Sequence, residues 1–183
     1  MNKNKTMLVS LAVACAGMLV VSSNSFGAPI SAGLNELELE ASLVNQSGAG
    51  KDNHYYGDVT SLNLAVTYGR FLTDEVEAGA RVGFAYSAAD EITAFAFAPG
   101  VFGAYYFPMD SDLIAPYAGA RAGLNIWDLE SDSGVDFLIG AYGGAKFFIA
   151  KGAAIKIEPF LQLIIGDDTL VDVGVASGIS LFF

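Results

Sequence analysis

From Leu34 onward, large apolar residues recur at every second position through about eight segments, each bounded by residues that favour turns. A period of two marks a strand with unlike faces, because successive side chains point to opposite sides of a sheet. The first segment, Leu34 to Gln46, sets Leu37, Leu39, Ala41 and Leu43 against Glu36, Glu38, Glu40 and Ser42. The second, Val59 to Leu72, opposes Leu62, Leu64, Val66 and Tyr68 to Asn63, Ala65, Thr67 and Gly69. Val76 to Ser87 and Ile92 to Phe107 continue the pattern, the latter with large Phe95, Phe97, Val101 and Tyr105 against small Ala94, Ala96, Ala98 and Gly100. Leu113 to Trp127, Asp136 to Ile149 and Ala154 to Ile165 follow. The eighth, Thr169 to Phe183, runs its apolar row of Val171, Val173, Val175, Ile179, Leu181 and Phe183 to the last residue, broken only at Ser177.

Beyond the N-terminus no apolar run reaches the length of a spanning helix. Ala94 to Met109 comes nearest, and a buried or re-entrant helix is the alternative there. Its Pro99, Gly100, Gly103 and many aromatics favour strand. A long apolar edge strand ending the chain would template aggregation unless something paired with it. Pairing with the first strand closes a barrel and removes the edge. Two barrels fit, a soluble carrier with the apolar row inside and a membrane barrel with that row toward lipid. An eight-stranded interior is only wide enough for side chains to fill, and the polar rows are rich in Gly and Ala while the apolar rows are bulky. A soluble exterior would also carry far more Lys and Glu. The pattern therefore predicts an all-β fold, an eight-stranded antiparallel up-and-down transmembrane β-barrel, with the soluble barrel as the alternative.

Residues 1–27 read as a secretory signal peptide: a basic start with Lys3 and Lys5, an apolar core from Met7 to Val21, and a small-residue exit with Ser25 and Gly27. Cleavage after Gly27, within two residues, leaves 28–183 as the barrel. Cys15, the only cysteine, sits in the apolar core; a lipoprotein site there would strand Ala16 to Val21 at the mature terminus, so a hydrophobic role is preferred. Export through the periplasm to a bacterial outer membrane is the expected route. With an even strand count both termini share the periplasmic side. The short turns there fall at Thr73 to Glu75, Pro108 to Asp112 and Ala150 to Ala153, and the outer loops at Ser47 to Asp58, Ala88 to Glu91, Asp128 to Val135 and Gly166 to Asp168. None is long, which disfavours a large loop-borne binding site. Tyr68, Phe71, Tyr105, Tyr106, Phe107, Phe147, Phe148, Phe182 and Phe183 are expected to form an interfacial girdle.

Charge changes the picture in two ways. Apart from Lys3 and Lys5, seven cations face twenty carboxylates, a balance that repels nucleic acid. The inward row then collects Glu36, Glu38, Glu40, Glu77, Glu158 and Asp172 with Arg81, Arg121, Lys146 and Lys156; Arg81 and Arg121 lie at depths comparable with Glu38, Glu40 and Glu158, and a charge network of Glu38, Glu40, Arg81, Arg121, Lys146 and Glu158 is expected. Opposite charges in a narrow lumen should pair, since an isolated ion there is costly to desolvate. A hydrogen-bonded plug is the structural reading, and a salt-bridge gate for water or small ions is the alternative.

Catalytic chemistry has little to stand on. The only histidine, His54, can be grouped with Ser87 and Asp90 from neighbouring outer loops, in a way similar to the outer-membrane lipid A palmitoyltransferase. The second outer loop lacks that enzyme's adjacent Asp-Ser pair, no N-terminal amphipathic helix is evident, and the His-x-Ser strand motif of lipid A deacylase barrels is missing. His54 with Asp52 and Asp58 is a loop and not a coordination pattern, and Asp167-Asp168 suits a solvated turn better than Ca²⁺. No catalytic residue, no metal and no cofactor is expected.

The signal segment, Ala-Pro-Tyr-Ala-Gly-Ala-Arg-Ala-Gly at 115 to 123, Gly-Gly-Ala-Lys-Phe-Phe at 143 to 148 and the terminal Phe together resemble the small outer-membrane β-barrel family of OmpA-type and OmpX-type barrels. The resemblance implies that the last strand carries the signal read by the barrel assembly machinery. Gly178, Leu181 and Phe183 match its Gly-x-x-apolar-x-aromatic core, while Ala176 stands where a polar residue is usual. OmpA-type proteins often append a peptidoglycan-binding domain, which is not expected here. The partners implied are outer-membrane lipids and the assembly machinery, and the expected state is a monomer. The expected function is non-enzymatic, in envelope integrity or surface interaction, with a narrow pore or a lipid A-modifying enzyme as alternatives. Fold analogy alone supplies no function.

Overall fold

The computed structural model describes residues 30–49, 55–89, 92–129, 132–167 and 169–183. The expected signal segment with Cys15, and Asp52, His54, Asp90 and Asp168, lie outside the described residues, as do the side chains of Asp58 and Ser87. Eight strands follow one another: β1 (Asn35–Ala49), β2 (Tyr55–Phe71), β3 (Val76–Ala89), β4 (Ile92–Tyr106), β5 (Ile114–Leu129), β6 (Asp132–Ala150), β7 (Ala153–Ile165) and β8 (Thr169–Phe182). Each pairs antiparallel with the next, and β8 pairs with β1 from Glu36↔Phe182 to Gly48↔Leu170, closing the barrel. At the seam Asn35 and Phe183 exchange backbone hydrogen bonds of 2.9 and 3.0 Å. The predicted eight-stranded up-and-down barrel is thus the observed fold, and Ala94 to Met109 contributes strand, not helix.

Tracing hydrogen-bonded partners once around fixes the geometry. From Glu38 the path runs through Thr67, Arg81, Gly100, Gly123, Leu138, Ile164 and Leu170 and returns to β1 at Gly48, ten residues further along. Such a stagger requires strands tilted at roughly 35–45° to the barrel axis. Hydrogen-bonded rows consequently climb, from β1 toward β8, away from the end that holds Asn35 and Phe183. That end is called the terminal end below, and the opposite one the far end.

The alternation sorts the side chains into two shells. Leu39, Leu64, Val101, Phe137, Ile157, Leu161, Val173 and Val175 lie exposed on the outer wall, whereas Glu36, Glu38, Glu40, Glu77, Lys146, Lys156 and Glu158 are buried inside. This is the inverse of a soluble fold and fits a barrel whose solvent is lipid. No helix among the described residues is long and apolar enough to cross a membrane; the strands do the crossing.

Two sequence expectations need correction. The strands run further toward the far end than the apolar alternation does, to Ala49 and from Tyr55, to Leu129 and from Asp132. A tilted strand spans the hydrocarbon in roughly 9–11 residues, so the ladder continues past the apolar belt because backbone pairing does not depend on side-chain patterning. The girdle also divides. Tyr68, Tyr105, Phe107, Phe147 and Phe183 point outward, but Phe71, Tyr106, Phe148 and Phe182 fall on the inward parity and pack in or against the interior. Adjacent residues in a strand cannot share a face.

Glycine makes room for these inward rings. A Cβ at Gly79 would lie 2.7 Å from the Phe102 ring, and one at Gly119 would lie 2.5 Å from the Tyr142 ring. Proline leaves a different mark. The β4–β5 ladder skips Ala98 and Pro99 between Phe97↔Ile126 and Gly100↔Gly123, and the β6–β7 ladder skips Gly143 and Gly144 opposite Pro159 and Glu158. Proline has no N–H to give a ladder, and a closed barrel offers it no free edge.

Candidate functional site

Among the described residues the lumen gathers the chemically active side chains, and it is built in layers. At the terminal end, Phe71, Tyr106, Tyr117 and Ala104 form a buried apolar cluster with Phe182 against it. The Phe71 and Tyr106 rings lie 5.1 Å apart, Tyr106 and Tyr117 5.2 Å, and Phe148 and Phe182 5.4 Å. Inward parity on β2, β4, β5, β6 and β8 delivers one or two rings each.

Charges stack on this floor. The Lys146 ammonium donates to both carboxylate oxygens of Glu36, lies 3.7 Å from Glu38 and 4.0 Å from Glu77, and sits 5.3 and 5.5 Å from the ring centres of Tyr106 and Tyr117. Such ring faces add a cation–π attraction that strengthens when water is excluded. The Tyr106 hydroxyl donates to Glu77 at 2.8 Å, and the Tyr117 hydroxyl to Glu158 at 2.7 Å. One layer up, Lys156 donates to Glu38 at 2.5 Å and to Glu40 at 2.6 Å and reaches Glu158 at 3.2 Å. Ser180, fully buried, donates to the second oxygen of Glu38 at 3.1 Å.

Arg81 and Arg121 complete the network differently. Arg81 donates to Glu40 at 2.7 Å. Arg121 is held more loosely, 3.9 Å from Glu158 and 4.6 Å from the ring centre of Phe160, with Tyr142 at 5.8 Å. Beside them Thr67, Arg81, Arg121 and Glu40 border a cavity of about 30 Å³, room for very few waters. Thr67 Oγ1 and the Nε atoms of both arginines make no hydrogen bond to protein there. Val44, Phe160 and Ala176 form a second apolar cluster. Further toward the far end, Gln162 donates to Asp172 and Trp127 to Asp136, each at 2.8 Å.

The structure therefore brings Glu38, Glu40, Arg81, Arg121, Lys146 and Glu158 into one connected lumen network. Its hub is Lys156, which sequence reasoning placed on the inward row without singling it out. The signal was available: Lys156 and Glu158 alternate with Ile155, Ile157 and Leu161 on β7. The inward rings of Tyr106, Tyr117, Tyr142 and Phe160 escaped notice because aromatic residues serve equally well at a lipid interface. Gly178, Leu181 and Phe183 occupy the β8 seam. Gly178 faces inward against the β1 backbone, where a Cβ would meet the Leu39 carbonyl at 2.6 Å, and Leu181 and Phe183 face outward.

Chemically, the lumen holds charge. Among the described residues no group of three or more His, Cys, Asp or Glu is arranged to bind a metal. The inner hydroxyls of Tyr106, Tyr117 and Ser180 donate to Glu77, Glu158 and Glu38.

No protein-family model matches the chain, and no curated protein matches it in sequence. Solved structures do. Neisserial surface protein A is similar over 82% of this chain and 99% of its own, at TM-score 0.69 and 15% identity. The outer membrane protein OprG of Pseudomonas aeruginosa aligns over 84% and 97%, at TM-score 0.57 and 14% identity. The N-terminal β-barrel domain of OprF from the same organism aligns over 82% and 99%, at TM-score 0.54 and 15% identity. At these identities the likeness is one of fold, that of small eight-stranded outer-membrane barrels.

Proposed function

We propose that this chain is a non-conducting, non-catalytic outer-membrane barrel that serves envelope integrity or surface interaction, its lumen closed by the charge network. The observation that carries the reading is the layering. The four lumen cations each lie within 4 Å of at least one glutamate, and the paired charges lie between the apolar clusters around Phe71 and around Val44 and Phe160. A hydrated ion crossing it would have to break pairs whose members are buried, each costing several kcal/mol to leave uncompensated. With the terminal end in the periplasm, the outer loops at 47–58, 88–91, 128–135 and 166–168 carry nine carboxylates against Lys51 as their one Lys or Arg. That charge favours cationic or divalent-bridged surface contacts over polyanions. On this reading Gly178, Leu181 and Phe183 form the signal for the assembly machinery.

Planar-bilayer recording of the purified protein tests the plug. A flat baseline, with openings appearing only in a Glu40→Gln/Lys156→Met variant, is expected. Defined, reproducible openings of the unaltered protein would replace the plug with a narrow pore.

A further inference from the structure

We infer that the lumen holds one halide-sized anion between the guanidinium groups of Arg81 and Arg121, beside the hydroxyl of Thr67. The inference needs only the geometry of the lumen and stands whether or not the barrel conducts. Its first element is a set of donors without acceptors. Among the polar side chains that line the cavity of about 30 Å³, the buried atoms that make no hydrogen bond are Arg81 Nε, Arg121 Nε and Thr67 Oγ1. Arg121 is 6% exposed and Thr67 9%. Among the described residues the Arg121 guanidinium meets Glu158 at 3.9 Å and otherwise the rings of Phe160 and Tyr142. A buried charged donor left unpaired is costly, and native proteins meet that cost with an ordered water or an ion.

The kind of donor separates those two. Both arginine groups can only donate, and the threonine hydroxyl is free to turn its proton toward the same point. A water there would accept from them but bring two protons of its own. Of the nearby carboxylate oxygens, both of Glu40 are engaged, by Arg81 at 2.7 Å and Lys156 at 2.6 Å, and one of Glu158 takes Tyr117 at 2.7 Å and Lys156 at 3.2 Å. Glu158 Oε1 alone is left for two protons, whereas an ion that only accepts leaves none unplaced. Charge points the same way. Arg81, Arg121 and Lys156 share Glu40 and Glu158. Glu38, the remaining contact of Lys156, is divided with Lys146 at 3.7 Å, and Glu36 and Glu77 lie with Lys146 on the floor at the terminal end. The arginine layer is thus the cation-rich part of the network, and its surplus carboxylate lies below.

Shape sets the size of the occupant. Arg81 on β3 and Arg121 on β5 stand on either side of β4, where Gly100 interposes no side chain. Both arginines also line a second void of about 10 Å³ together with Ala98, Gly100 and Gly123. Since about 10–15 Å³ admits one water, the space suits a halide ion and excludes an organic phosphate or carboxylate. Entry is from the far end. A Cβ at Gly83, two residues nearer that end on β3, would lie 3.0 Å from Arg81 Nη1, so the guanidinium leans that way, and the Arg81 side chain is 17% exposed. The aromatic cluster around Phe71 and Tyr106 closes the terminal end.

Crystals of the folded protein grown in sodium bromide test the site directly. An anomalous bromide peak between Arg81 and Arg121 is expected, and water density there without anomalous signal would overturn the inference. Urea titrations of the protein folded into lipid vesicles, followed by the fluorescence of Trp127, read the site in solution, with bromide set against gluconate at equal ionic strength. With bromide at ten times its dissociation constant, the unfolding constant should fall about tenfold. Thr67→Val keeps the size and both charges but removes one donor, and should weaken bromide binding about tenfold, the loss of one charge-assisted hydrogen bond. Arg121→Met should abolish it; if that variant fails to fold, as judged by heat-modifiable migration, Thr67→Val alone decides. Equal bromide stabilisation of the unaltered protein and of the variants that fold would mark a general salt effect and overturn the site. A crystal peak with no bromide dependence of unfolding would mark binding at crystal concentration only, and overturn it equally.

Discussion

Replacing Lys156 by methionine is the most direct probe of the lumen. The methionine fills a similar volume but removes an ammonium that donates to Glu38 at 2.5 Å and Glu40 at 2.6 Å and lies 3.2 Å from Glu158. Two charge-assisted hydrogen bonds are lost, each worth roughly 1.5–3 kcal/mol. Arg81 remains on Glu40, Tyr117 on Glu158, and Ser180 and Lys146 near Glu38, so the three carboxylates are weakened and not orphaned. Breaking a buried pair from one side costs about 3–5 kcal/mol, and that is the expected loss of stability for Lys156→Met. Trp127 is the only tryptophan and is bonded to Asp136 across β5 and β6, so its fluorescence reports barrel opening in urea titrations of protein folded into lipid vesicles. Adding Glu38→Gln to Lys156→Met should recover at least half of the loss, because it removes a charge left without its main partner. A single variant within about 0.5 kcal/mol of the unaltered protein, the scale of an ordinary surface change, would refute the claim that the network is a packed, water-poor plug.

Two further outcomes follow from the wall. Gly119→Ala places a Cβ 2.4 Å from the Gly103 carbonyl and 2.5 Å from the Tyr142 ring, and should cost about 1–3 kcal/mol as overpacking, read as a lowered urea midpoint by the same fluorescence. Deleting Phe183 removes its backbone exchange with Asn35 at the seam together with the terminal aromatic, and should cut outer-membrane yield more than Leu72→Ala, an exposed apolar loss in a turn. Quantitative blotting of membrane fractions checks this.

How much could be read in advance differs between wall and interior. Period-two patterning specifies which residues face lipid, because a slip of one residue would turn Leu37, Leu39 and Leu43 inward and their glutamates outward. Strand number and order followed from it. The far ends of β5 and β6 did not, since Asp128 and Leu129 pair with Ser133 and Asp132 through their backbone with no apolar row to announce it. Inside the lumen, residue types were legible but partners were not. Which carboxylate Lys156 meets depends on the ten-residue stagger around the ring, a property of all eight strands together and of no segment alone.

The two proline breaks have a bearing on how the barrel comes together. They flank the β5–β6 hairpin, Pro99 interrupting its ladder to β4 and Pro159 its ladder from β6 to β7. Between them the hairpin is continuously paired, from Ile114↔Phe147 to Leu129↔Asp132. Local pairing closes short loops and forms early, and cooperative units tend to be bounded where hydrogen bonds are missing. The β5–β6 hairpin is thereby marked as a single foldon, able to form as a preassembled piece and dock along two notched seams, and its amides should exchange together and later than those at the β8–β1 closure.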